Sequence, residues 1–140
     1  MVVGAEPVLA FKAYDGREVN LSQLKGKVVL VDFWATWCVP CVKAMPRVKA
    51  AYQKYHATGF EIIGISLDDE EAPLKKFLKE EQIEWPQHFD GKGQDNKFAV
   101  EFSLGRIPAV WLVDKKGKIR FIDPEEKLEE NIQLLLKETP

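Results

Sequence analysis

The chain has 140 residues, room for one domain and too few for two of ordinary size. At 46% hydrophobic, 11% aromatic and 30% charged, it carries enough apolar mass for a core, which excludes a disordered or low-complexity polymer. Lys and Arg total 20 against 22 Asp and Glu, and the net charge of −2 argues against nucleic acid or an anionic membrane surface as partner. No apolar run approaches membrane-spanning length. Met1 to Phe11 has no basic stretch ahead of a long apolar one, so no signal peptide is expected there. A cytosolic protein and a mature domain cut from a longer precursor both fit that start.

In chain order, Val8 to Phe11 and Arg17 to Val19 flank Asp15-Gly16 and predict a small front hairpin. Val28-Val29-Leu30-Val31-Asp32-Phe33-Trp34 is β-branched and nearly unbroken in its apolarity, the pattern of a buried central strand. Behind it, Val42, Met45, Val48, Tyr52 and Tyr55 recur at helical steps, with Lys43, Arg47, Lys49 and Lys54 on the wet face. Pro40 fits the first turn of this helix, Pro46 should kink it, and Gly59 is placed for a left-handed cap just past His56.

Glu61 to Leu67 reads as a second buried strand. Asp68-Asp69-Glu70-Glu71 follows as the acidic start of a helix with Ala72, Leu74, Phe77 and Leu78 inward. Trp85 to Phe89 is expected to be extended, Asp90 to Gly93 to turn, and Asn96 to Phe102 to form a short helix with Phe98 and Phe102 inward. Ala109 to Val113 is a third strong strand, which Asp114-Lys115-Lys116-Gly117 turns into Lys118 to Ile122. Leu128, Ile132, Leu135 and Leu136 mark a last amphipathic helix. The order predicts an α/β fold with a mixed sheet covered by helices on both faces, in one domain over residues 1–140.

The only cysteines are Cys38 and Cys41. A disulfide stabilises chiefly by closing a loop in the unfolded chain, and joining these two closes almost the smallest loop there is. A zinc site calls for about four ligands, whereas His56 and His88 are not spaced as a pair and no second cysteine pair exists. Zinc ligation and chance adjacency stand beside the reading the spacing favours, a reversible dithiol/disulfide couple.

Trp37-Cys38-Val39-Pro40-Cys41, directly after a strand containing Asp32, resembles the thioredoxin superfamily, and within it the TlpA/ResA-like thiol–disulfide oxidoreductases of bacterial cell envelopes. Val31 to Trp37, Arg106-Ile107-Pro108, the phrase Gly59 to Asp68 and the segment Phe89 to Gly93 carry the resemblance across nearly the whole chain. It implies a thioredoxin-like three-layer sandwich with an N-terminal hairpin extension, and a cis peptide at Ile107-Pro108. Three departures stand out. Ala44 occupies the position where many relatives carry Glu, Asp69 falls where some ResA-like proteins use a carboxylate, and Gly64 takes the place of the lysine that thioredoxins bury near their aspartate.

The chemistry expected of the site follows from thiolate reactivity. Cys38, at the mouth of a helix whose free N–H groups favour a negative sulfur, is expected to be the nucleophile, and Cys41 to resolve the mixed disulfide. Asp32, an acid inside an apolar strand, is the candidate proton acceptor, and Asp69 a possible second acid. Trp37, Pro40, Ile107 and Pro108 are the candidate docking surface, with the Ile107 backbone able to pair with an extended substrate. His56 reads as a helix-end surface residue and His88 as a partly buried loop residue, with no metal expected at either.

No cofactor is expected beyond the redox-active Cys38–Cys41 pair. The resemblance implies partner proteins bearing thiols or disulfides, an upstream thiol reductant, a monomer without membrane contact in this domain, and a periplasmic or cell-envelope location. Val39-Pro40 and Ile107 resemble reducing members more than strongly oxidising ones. Two other readings remain: a redox-inert or metal-delivery binding module, and a peroxidase, although a peroxiredoxin needs Thr or Ser where Ala35 stands.

Overall fold

The computed structural model describes residues Met1–Pro140. Its central sheet is built on β3 (Val28–Trp34), every residue of which is buried. That explains why the segment is apolar on both faces rather than alternating. β3 pairs in parallel with β4 (Phe60–Ser66), which pairs in parallel with β5 (Gln87–His88). On its other side β3 runs antiparallel to β6 (Ala109–Val113), and β6 to β7 (Ile119–Ile122). The order is therefore β5-β4-β3-β6-β7, with β1 (Ala10–Lys12) and β2 (Glu18–Asn20) forming a separate antiparallel hairpin.

Two helices cross between the parallel strands: α1 (Val39–Tyr55) and α2 (Glu71–Glu80). Both crossovers step in the same direction across the sheet, and right-handed connection puts both helices on one face. Trp34 meets Phe77 of α2 there, with ring centroids 5.2 Å apart. α4 (Leu128–Leu136) shares that face, because Tyr55 at the end of α1 donates its hydroxyl to Glu129 at 2.7 Å and accepts from Gln133. The opposite face carries α3 (Lys97–Glu101) and the hairpin: Phe33 meets Phe102, and Phe11 meets Phe98 and His88. The result is the three-layer sandwich expected from the sequence.

Several local expectations shift. The hairpin slides along so that Phe11 opposes Val19, and Val8 stays outside it and exposed. α2 begins only at Glu71, and of its expected inner face Leu74 alone is fully buried, Phe77 and Leu78 are partly buried, and Ala72 is exposed. The floor beneath α2 is narrow, since β5 has two residues; Pro86 just before it has no N–H for the ladder and contributes only its carbonyl, to Gly64. His88 lies in that strand and is buried, not a loop residue. α1 runs on through Pro46, which has no hydrogen to give the Val42 carbonyl, and a short 3₁₀ turn at His56–Thr58 leads to Gly59 at φ 103°.

Candidate active site

The site grows from the carboxyl end of β3, where the chain leaves for β4 on one side while β6 flanks the other. Open α/β sheets place their functional crevices at such points. After Trp34 the chain turns through Ala35 to Trp37, and Cys38 becomes the N-cap of α1 in extended conformation (φ −89°, ψ 104°). The Cys41 backbone N–H donates to Cys38 Sγ at 3.3 Å. Pro40 occupies the first turn, where no helical partner is needed for a backbone N–H. Cys38 and Cys41 form a disulfide with their Cα atoms 5.2 Å apart. Both are buried, while Trp37 and Val39 beside them are exposed.

Asp68 holds this turn in place. The Thr36 N–H and hydroxyl both donate to its carboxylate, as does the Ser66 hydroxyl at 2.6 Å. The Leu67 N–H donates to the Trp34 carbonyl at 2.7 Å, tying the ends of β3 and β4 together above the sheet. On sequence alone Asp68 belongs to the acidic start of α2. The structure instead begins that helix at Glu71 and buries Asp68 under the cysteine loop. The signal available was Ser66-x-Asp68 at a strand end, a pattern that folds its polar side chains onto nearby backbone.

Asp32 is buried mid-strand, opposite Gly64 in β4 and Val110 in β6. Two residues before Trp34, it shares the face covered by α1 and α2, and Cys41 lies on the inward side of α1. Burial alone pushes its carboxyl up to about 7, from an ordinary 3.8. Such a group changes charge where thiol exchange operates. The space above Gly64 holds the carboxamide of Gln87, a residue that the motifs of the sequence do not single out.

The docking candidates fall on two sides of Cys38. Pro40, Ile107 and Pro108 line a groove of about 360 Å³ together with Ala44, Val48 and Leu128, flanked by Arg47 and Arg106. The Ile107–Pro108 peptide is cis. Trp37 lies on the other side, lining a shallow concavity with Asp69 and Lys92 to Gln94. Asp69 is exposed beside Trp37, so the two neighbouring aspartates part company: one under the loop, one on the rim. His88 takes no part; it contacts Asn96 at 3.1 Å, and burial pushes its imidazole below the ordinary value. His56 lies at the helix end against Tyr52, 3.4 Å from Glu61.

Comparison with known proteins agrees with this geometry. A family model described as Redoxin matches residues 5–135. A thiol-disulfide oxidoreductase ResA of Bacillus cereus is 38% identical over 85% of this chain and 68% of its own. ResA of Bacillus thuringiensis subsp. konkukian is 34% identical over 100% of this chain and 80% of its own. Among solved structures, the thioredoxin domain of a thiol-disulfide oxidoreductase from Bacteroides vulgatus superimposes with a TM-score of 0.85 at 29% identity, covering 98% of this chain and 99% of that one. A thiol:disulfide interchange protein from Bacteroides sp. gives 0.81 at 28% identity, over 99% and 91%. With its cysteine pair in disulfide geometry at the mouth of α1, the chain belongs to the redoxin family and is a ResA-like thiol–disulfide oxidoreductase of thioredoxin-like fold.

Proposed function

We propose that the protein works as a reductant of disulfides in partner proteins, with Cys38 as nucleophile, Cys41 as resolving thiol and Asp32 as proton acceptor. The observation that carries this reading is the placement of Cys38 as N-cap of α1 with the Cys41 N–H aimed at its sulfur. Once the pair is reduced, the helix N-terminus and that donor favour the Cys38 thiolate. It attacks one sulfur of the partner disulfide, forming a Cys38–partner bond and releasing the other partner sulfur as a thiol. Cys41 then gives its proton to the Asp32 carboxylate and attacks Cys38 Sγ. The Cys38–Cys41 bond forms, the bond to the partner breaks, and the electron pair leaves on the partner sulfur, which takes up a proton. An upstream thiol reductant returns two electrons and two protons to the pair.

The groove lined by Pro40, Ile107 and Pro108 supports docking of an extended segment close to the cysteine pair, and exposed Trp37 adds a second apolar contact outside it. We place the activity in the bacterial periplasm or cell envelope, on the resemblance to TlpA/ResA-like proteins; no helix here is long and apolar enough to cross a membrane. The peroxidase reading draws no support from Ala35, which offers no hydroxyl, and the inert-module reading none from an intact cysteine pair.

The test is insulin reduction by wild type and Cys38→Ser, together with the reduction potential of the pair. Activity lost in the variant and a potential near the thioredoxin value of about −270 mV are expected. A potential near about −120 mV, that of a strong oxidant, overturns the reductive direction.

A further inference from the structure

Gln87 Nε2 is a buried side-chain nitrogen with no hydrogen-bond partner, and the molecule has no other such buried polar atom. Gln87 pairs in register with Gly64, and Gly64 with Asp32, so the three share one face of the sheet. The carboxamide folds back across Gly64: a Cβ there would stand 2.1 Å from Oε1 and 2.4 Å from Nε2. A residue without a side chain is what leaves that space. The Trp34 indole N–H donates to Gln87 Oε1 at 2.9 Å. Because an indole nitrogen only donates, this contact fixes which end of the amide is oxygen. Nε2 is then the free end, lying one strand spacing, ~4.8 Å, from the Asp32 strand.

Asp32 is the acid of β3 on that face. Burial alone shifts it, with no hydrogen bond and no charged neighbour contributing. The inward residues of α2 and α4 are apolar, Val110 flanks it on β6, and the buried titratable groups of α1 are Cys41 and Tyr55, with Cys38 at its N-cap. A buried donor is costly alone, and one water between the amide, folded over β4, and the Asp32 carboxylate on neighbouring β3 satisfies it.

We propose that Gln87 is a positioning residue for the proton step: clamped by Trp34 and Gly64, its amide donates through one bridging water to the Asp32 carboxylate and readies it for the Cys41 proton. The proposal rests on Asp32 being the acceptor. Nε2–H donation favours the charged carboxylate, so removing it makes Asp32 harder to ionise and slows the resolving step at low pH.

The experiment titrates Asp32 itself, through its infrared carbonyl band, in the disulfide form where the cysteines do not titrate. Wild type is compared with Gln87→Met, which deletes the amide, and with Gly64→Ala, which keeps it but displaces its flexible end. A midpoint raised by roughly one pH unit in both variants is expected. Insulin reduction should then fall about tenfold at pH 6 and less than about twofold at pH 9. An unchanged midpoint in both variants overturns the proposal, and a uniform loss of rate at every pH with that midpoint fixed marks Gln87 as purely structural. A raised midpoint with an unchanged rate profile supports the hold of Gln87 on Asp32 and refutes Asp32 as the acceptor.

Discussion

Asp32 is the residue whose environment makes the sharpest statement. Its carboxyl titrates near 7 in the fold against 3.8 when unburied, so between those values the native state binds the extra proton. Stability therefore falls as pH rises through that window, and above about pH 7 the buried charge costs on the order of 4 kcal/mol. Asp32→Asn mimics the protonated form. In the disulfide state it should leave stability nearly unchanged at pH 4 and raise it at pH 8, by up to that amount, as read from urea melts. An equal effect at both pH values contradicts the burial argument. Asp68 is the converse case, an acid fully engaged by its donors. Asp68→Ala strands the Thr36 N–H and two hydroxyls, costing about 2–3 kcal/mol and lowering Tm by roughly 5–10 °C. Calorimetry checks this, and a Tm within a degree of wild type removes Asp68 as the anchor of the cysteine loop.

Among the elements, β3 and β6 were legible to the residue. A strand buried throughout, as β3 is, or over most of its length, as β6 is from Trp111 to Val113, writes itself as a continuous apolar run that no amphipathic helix imitates. α1 was legible for a different reason, the helical spacing of Met45, Val48 and Tyr55, which are buried as expected, while Val42 and Tyr52 are only half-buried and Cys41 and Ala51 join the inward side. α2 was less so, because periodicity shows which side is apolar but not how much floor lies beneath it, and a two-residue β5 supports little. The cysteines and Asp32 could be named from the chain alone, since spacing and an acid among Val, Leu and Phe are local facts. Asp68 and Gln87 could not. Their roles come from Thr36 and Trp34, which lie 32 and 53 positions away and meet them only after β3, β4 and β5 align.

At the scale of the whole molecule, the sheet order does the work of assembly. Parallel β5-β4-β3 puts α1 and α2 on one face, the approach to antiparallel β6 brings Ile107-Pro108 into one groove with Pro40, and the hairpin with α3 seals the far face. The consequence is a disulfide that ties no distant segments and sits at the N-terminus of α1. The central claim is that this pair exchanges electrons through a mixed disulfide on Cys38. Trapping tests it most directly: reduced Cys41→Ser and Cys38→Ser variants are mixed with oxidised insulin and analysed by mass spectrometry of the conjugates. A stable adduct on Cys38 is expected in the Cys41→Ser protein, with little or none in the Cys38→Ser protein. Adducts forming chiefly on Cys41, or on neither cysteine, would contradict it.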